Sequence, residues 1–190
     1  MNFIDELKTI LHGHDFRSVE LEFRVGFQTS TGFQSSIPKI AWINAKNKLS
    51  GGVDTITIDK YIKSRPNESY RHVTTPTDSY MEHKQKIANK LFPTDGSYSV
   101  RCSLAQECRK ETVKPPNSYV MQRKKYRTSY TRGSWRIDFT RVEIIPVQND
   151  IEEVYEIEVE LADLGYFFEK ELELIIEEGR NIASDIVGIK

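Results

Sequence analysis

The chain has 190 residues, 38 % hydrophobic and 29 % charged, enough for one core and too well patterned for a disordered tail. Its 27 basic and 28 acidic residues leave a net charge of −1, which excludes a global basic field, so any polyanion site must come from local segregation of charge. No apolar run approaches the ~18 residues of a membrane span, Met1–Lys8 has no signal-peptide core, and Cys102 and Cys108 make no disulfide framework, so a reducing, intracellular setting without membrane contact is expected.

Phe3, Ile4, Leu7, Ile10 and Leu11 fall at helical spacing and Gly13 stops the run, which predicts a short helix over 1–13. A second helix is expected over 37–49, with Pro38 in its first turn and Gly51-Gly52 after it. Period-two alternation predicts eight strands, near 18–28, 53–61, 69–75, 79–88, 97–107, 119–130, 135–147 and 153–162. Pro93-Thr94-Asp95-Gly96, Pro115-Pro116-Asn117 and Arg132-Gly133 read as turns. The tail, about 166–187, carries Phe167, Phe168, Leu172, Leu174, Ile175 and Ile176 among glutamates and reads as an amphipathic helix. Strands and helices do not alternate as βαβ units, so the sheet is expected to be antiparallel. No repeat or linker divides the chain, and residues 1–190 are taken as one domain.

The informative feature is which face of each strand is charged. Glu20, Glu22 and Arg24 alternate with Val19, Leu21, Phe23 and Val25, and Glu156, Glu158 and Glu160 alternate with Tyr155, Ile157, Val159 and Leu161. Arg136, Asp138 and Thr140 oppose Trp135, Ile137 and Phe139. Arg101, Ser103 and Glu107 oppose Val100, Cys102 and Leu104. Arg123, Lys125 and Arg127 share one parity, as do Glu82, Lys84 and Lys86. Alternation alone also fits a half-buried sheet with a solvated face. Here, however, like charges are grouped along single strands, where they repel, and the helices need an apolar partner. Closing eight strands into a barrel meets both conditions. The apolar face turns outward to the helices, and the charged face lines a wet tunnel in which first and last strands converge. The expected class is α+β: a closed eight-stranded antiparallel barrel with a hydrophilic interior and helices packed outside.

Converging carboxylates without nearby Cys or His suit a hard divalent cation, Mg²⁺ or Mn²⁺. Opposing Arg and Lys suit a polyphosphate. Together they form the apparatus of phosphoryl transfer to water. His12, His14, His72 and His83 show no ligand spacing and are read as structural or exposed.

With these motifs in order, the chain resembles the metal-dependent RNA 5′-triphosphatases of mRNA capping, in the triphosphate tunnel metalloenzyme superfamily. Val19-Glu20-Leu21-Glu22-Phe23-Arg24-Val25-Gly26 resembles their first metal strand, and Tyr155-Glu156-Ile157-Glu158-Val159-Glu160-Leu161 their second. Trp135-Arg136-Ile137-Asp138-Phe139-Thr140 resembles the middle motif, Arg123-Lys124-Lys125-Tyr126-Arg127 the phosphate strand, and Arg101–Glu107 the strand supplying a Ser and a Glu. The resemblance implies that Glu20, Glu22, Glu158 and Glu160 hold the metal, with Glu156 in support. It implies a phosphate clamp of Arg123, Lys125 and Arg127, with further contacts from Arg71, Lys84, Lys86 and Arg101. Arg136 would fix the glutamates, Asp138 would orient a metal-bound water, and Glu107 would orient or activate the attacking water. Arg24 departs from the Glu-x-Glu-x-Lys of the thiamine-triphosphatase and adenylate-cyclase branch, which favours the RNA branch.

The implied activity is removal of the γ-phosphate from a nascent RNA 5′ end, with nucleoside triphosphates as side substrates in Mn²⁺. The implied partner is an RNA guanylyltransferase, as a separate chain or a downstream domain, and the implied place is the nucleus or a viral replication site. Two rivals are a tunnel enzyme acting on inorganic or small organic triphosphate, and a non-catalytic module that binds polyphosphate or an RNA end.

Overall fold

The structure is a computed structural model and describes residues 3–13, 18–65, 68–93, 97–111, 114, 116–146 and 150–188. In chain order it forms α1 (Phe3–Gly13), β1 (Val19–Thr29), β2 (Gly32–Gln34), α2 (Lys39–Lys46), β3 (Val53–Arg65), β4 (Glu68–Thr74) and β5 (Ser79–Phe92). There follow β6 (Ser99–Glu111), β7 (Met121–Arg132), β8 (Trp135–Pro146), β9 (Glu152–Leu161), α3 (Tyr166–Glu169) and α4 (Leu172–Val187). The expected turn at Thr94–Gly96, residues Pro115 and Val147, all of His14, and the side chains of Ile10 and His12 lie outside the described residues.

All eight expected strands are present, and β2 adds a short hairpin partner to β1. The order is β2-β1-β6-β5-β4-β3-β7-β8-β9, and β9 pairs back onto β1, so eight antiparallel strands close into a barrel. That closing seam is short, running from Glu22↔Glu160 to Arg24↔Glu158. Beyond it β1 turns away to pair with β2, and Ser36 bridges Glu156 in its place. The β7–β8 hairpin turns through Gly133, whose φ of 59° lies in the left-handed region that glycine enters without strain.

Alternation sorts the faces as expected. Leu21, Phe23, Val25, Val100, Cys102, Leu104, Trp135, Ile137, Phe139, Ile157, Val159 and Leu161 point outward into a core completed by the helices. α4 covers this face with Leu172, Ile175, Ile176, Ile182, Ala183 and Ile186, and α1 adds Leu7 and Leu11. Each fully buried aliphatic or aromatic side chain there contributes about 1.5–3 kcal/mol. The apolar core is therefore outside the barrel.

The helices differ from expectation in detail. α2 is shorter than 37–49, and Pro38 caps it instead of entering its first turn. The tail is broken at extended Lys170, so a four-residue α3 precedes α4. Phe168 and Leu174 are exposed, so neither joins the buried face. Among the described residues, no helix is long and apolar enough to cross a membrane.

Candidate active site

The inward parity of the strands gathers the charged residues around a cavity of about 380 Å³. Glu22 of β1 and Glu160 of β9 are cross-strand partners, as are Arg24 and Glu158. Arg24 bridges the seam: its Nε and Nη2 donate to Glu22 at 3.0 and 3.1 Å, and Nη2 lies 2.6 Å from Glu158 Oε1. From β5, Lys84 reaches back to Glu20 and lies 3.2 Å from Glu107 and 3.7 Å from Glu22.

β8 and β7 continue the wall. Arg136 Nη2 donates to Glu160 at 2.5 Å and its Nε to Asp138 at 3.0 Å. Arg127 lies 3.0 Å from Asp138 and 3.5 Å from Glu158, and Arg123 donates to Glu156 at 2.8 Å. The sequence pattern leads one to expect Arg123, Lys125 and Arg127 to face the glutamates across the lumen. Only β8 separates β7 from β9, so Arg123 and Arg127 touch the glutamates directly; Arg101 on β6 and Lys84 and Lys86 on β5 flank the β1 glutamates from the other side, and Arg71 on β4 stands farthest from the seam. On that side Arg71 pairs with Glu82 and lies 3.4 Å from Asp59 and 3.9 Å from Glu107. Lys125 lies 2.6 Å from Asp59.

Among the described residues, Lys86 and Arg101 have no carboxylate partner. Burial depresses the basicity of both. Arg101 and Arg24 add to it at Lys86, and Arg24 adds to it at Arg101. Phe33 from β2 lies over the Arg101 guanidinium at 4.6 Å. Two cations without counter-ions, inside a tunnel of otherwise paired charges, fit an anionic ligand.

The carboxylates divide electrostatically. Burial is the largest influence on Glu22 and Glu158 and would raise both, but the cations together outweigh it, Arg24 with Lys84 at Glu22 and Arg24 with Arg127 and Lys125 at Glu158, so both stay ionised. Burial, then the charge of Glu22, hold Glu20 well above the usual carboxylate range despite Lys84. Burial pushes Glu160 up to about 7, with Arg136 opposing and Glu22 adding to the rise. At Glu107, Lys84 and Arg71 outweigh burial and keep the group ionised.

Among the described residues no three carboxylate, His or Cys groups stand close enough to hold a metal as they are. The donor set nevertheless fits a hard divalent cation. Its members are all carboxylates on two paired strands, and burial, with the neighbouring Glu22 charge adding to it, holds Glu20 and Glu160 raised, a cost that a bound cation would relieve.

Every site residue read from the sequence lines this cavity except Asp138. Asp138 is buried, engaged by Arg127, Arg136 and the Ser129 hydroxyl at 2.7 Å. Three donors thus occupy the Asp138 carboxylate, which lies behind the lining of the cavity. Sequence reasoning missed Asp59 and Glu82 as counter-ions, Arg24 as the bridge, and Tyr61. Glu82 shares parity with Lys84 and Lys86, and that was the available signal. His72, of the histidines read as structural or exposed, is buried, and His83 stacks on Tyr70 at 4.2 Å.

Comparison with known proteins follows the same lines. The chain is 51 % identical over 189 residues, 98 % of its length and 97 % of the relative's, to the 5′RNA triphosphatase A449R of Paramecium bursaria Chlorella virus 1. The solved S. pombe Pct1 RNA triphosphatase, in complex with the Spt5 CTD, superposes with a TM-score of 0.69 at 14 % identity, over 96 % of this chain and 85 % of that one. A conserved hypothetical protein from Pyrococcus furiosus superposes with a TM-score of 0.52 at 13 % identity, over 90 % and 91 % of the two chains. These two likenesses are of fold, the closed tunnel. The family described as mRNA capping enzyme, beta chain, matches residues 63–174. By that match and by its half-identical viral relative, the chain belongs to the mRNA capping enzyme beta-chain family.

Proposed function

We infer that the chain is an RNA 5′-triphosphatase, acting as one tunnel domain. It hydrolyses the β–γ phosphoanhydride of a 5′-triphosphate RNA end and leaves a 5′-diphosphate, the substrate of a capping guanylyltransferase. The observation that carries this reading is the seam. Glu20 and Glu22 lie beside Glu158 and Glu160 in the same lumen as Arg123, Lys125 and Arg127. Membership of the capping family and the tunnel fold point to divalent-metal dependence, and the oxygen-only donor set favours Mg²⁺ or Mn²⁺. Glu20, Glu22, Glu158 and Glu160 would hold the ion, with Glu156 in support; once bound, it supplies charge stabilisation to the transferred phosphoryl group.

The chain's own residues do the rest. Lys125, Arg127 and Arg123 bind and orient the γ-phosphoryl group, with Arg71 from β4 and Lys84 from β5. Lys86 and Arg101, free of carboxylate partners, receive the remaining phosphates. Glu107, ionised between Lys84 and Arg71, accepts a hydrogen bond from the attacking water and takes its proton. The water oxygen bonds to the γ-phosphorus, the P–O bond to the bridging oxygen breaks, and that electron pair leaves with the diphosphate end. Arg136 and Asp138 hold Glu160 and Arg127 in place throughout.

The test is phosphate release from γ-labelled triphosphate-ended RNA, compared with ATP and inorganic triphosphate, with and without Mg²⁺ or Mn²⁺. Metal-dependent turnover of the RNA end supports the reading. Turnover of inorganic triphosphate alone favours a small-molecule tunnel enzyme, and binding without release favours a non-catalytic module.

A further inference from the structure

Tyr61 ends the regular part of β3, just before an irregularity in its pairing with β4, and its buried ring lines the tunnel. Its hydroxyl oxygen accepts a hydrogen bond from Arg71 Nη1 at 3.0 Å, and the Arg71 guanidinium lies 5.8 Å from the ring centroid. Arg123 and Lys125 from β7 face the same oxygen. Asp59 on β3 faces it too, and Glu82 and Glu107 hold the far side of Arg71. The donors around the phenol are thus accounted for, and its own proton is not. Among the described residues no hydrogen bond takes that proton; Asp59, the acid that faces it, is ion-paired instead, 2.6 Å from Lys125 Nζ and 3.4 Å from Arg71 Nη1. A buried hydroxyl that accepts from cations and donates to nothing lacks one partner. That partner must be an acceptor that tolerates three surrounding cations, which is the description of an anionic oxygen.

We propose that Tyr61 is a substrate-contacting residue, whose hydroxyl donates a hydrogen bond to a phosphate oxygen seated among Arg71, Arg123 and Lys125. This rests on the triphosphatase reading and extends it to a residue that no motif supplied. The cationic surroundings also sharpen the donor. Burial alone would raise the phenol, but Arg71, Lys125 and Arg123 bring it down to about 8, and an acidified phenol is the stronger hydrogen-bond donor.

Tyr61→Phe keeps the ring and removes only the hydroxyl. Hydrolysis of triphosphate-ended RNA should fall about a hundred- to a thousandfold in kcat/KM, the range for losing one donor to a developing anion, with the thermal midpoint within about a degree of wild type. A second readout needs no turnover. In the metal-free protein, tyrosinate absorbance followed against pH should show one group ionising near pH about 8 that is missing from Tyr61→Phe. Inorganic triphosphate should shift that step upward, because a phenol that donates to an anion keeps its proton.

Wild-type kinetics in Tyr61→Phe, or a step that triphosphate leaves in place, overturns the proposal. If triphosphate shifts the step but RNA ends are not hydrolysed, the Tyr61 contact stands and the RNA reading falls. If RNA ends are hydrolysed equally by both proteins, the RNA reading stands and Tyr61 falls.

Discussion

Glu22 and Glu160 are direct cross-strand partners on the seam that closes the barrel, and both line its lumen. Like charges opposite each other destabilise a strand pair, and this pair sits on one of the barrel's shortest ladders. Arg24 holds Glu22 and Arg136 holds Glu160, yet burial, with the Glu22 charge adding to it, raises the proton affinity of Glu160. The seam is therefore the place where pH acts on the fold itself and, on the proposed metal assignment, where a divalent cation would act too.

The first prediction follows from that. A carboxyl whose folded value is raised binds its proton more tightly in the native state. Its contribution is complete below the unfolded value near 4.5 and is lost as pH rises through about 7. The thermal midpoint of the metal-free protein should fall from pH about 5 to about 8. Glu160→Gln, which cannot ionise, should flatten that fall. His72, lowered by burial, works in the opposite sense and is common to both proteins. Adding Mg²⁺ or Mn²⁺ at the upper pH should restore the wild-type midpoint. Equal slopes in the two proteins would remove Glu160 from the account.

The four glutamates should separate in stability while agreeing in activity. Glu20 and Glu160 are held with raised values, so Glu20→Ala and Glu160→Ala should leave the metal-free midpoint unchanged or higher. Glu22 and Glu158 are held down by Arg24, and removing either leaves a buried guanidinium short of a partner. Breaking such a pair costs about 3–5 kcal/mol when fully buried, so Glu22→Ala and Glu158→Ala should melt distinctly lower. All four should lose most turnover. Near-wild-type hydrolysis by Glu22→Ala or Glu160→Ala would sink the metal assignment.

Arg127 spans two strands, with Asp138 on one terminal nitrogen and Glu158 on the other. Arg127→Lys retains the charge but has one nitrogen where two are used, so it should recover only part of the activity lost in Arg127→Ala. Rates for both variants at limiting and saturating RNA would decide it. If Arg127→Ala equals wild type in both regimes, Arg127 is a structural strut of Asp138 and Glu158 alone.

Much of this was legible in the sequence because the side-chain period of a strand is two. The parity of Glu20 and Glu22, or of Arg123, Lys125 and Arg127, names a face before any fold is known. The grouping of like charges then asks for closure. The strand order was not legible, since nothing local in β1 says that its neighbours are β6 and β9. The convergence of the first and last glutamate strands was expected from closure, but their register, Glu22 opposite Glu160 and Arg24 opposite Glu158, is visible only in the assembled seam. Asp59 and Glu82 were missed for a related reason. Their role is to neutralise Lys125 and Arg71, and only the assembled tunnel brings those pairs together. Arg24 was noticed as a departure from a motif, but its bridge from Glu22 to Glu158 requires the seam. The break at Lys170 escaped because helical spacing runs on through Phe167, Phe168, Leu172 and Leu174 whether or not the backbone does.

The last prediction concerns the helix that backs the seam. Gly179 lies in the middle of α4, on its buried face. In an exposed helix, Gly→Ala would stabilise by about 1 kcal/mol. Here a methyl group would stand 2.6 Å from Trp135 Cη2 and run into the ring of Phe23. Those two rings meet edge to face with centroids 5.8 Å apart, and neither has free space on the other side. Overpacking a filled core costs about 1–3 kcal/mol, so Gly179→Ala should lower the thermal midpoint. Phe23 precedes Arg24 in β1 and Trp135 precedes Arg136 in β8, so displacing the rings also moves the two arginines that hold the seam glutamates. Turnover at a temperature where the variant remains folded should therefore fall as well. A midpoint at or above wild type, with full activity, would mean that α4 shifts away at no cost and that the outer core does not set the geometry of the tunnel.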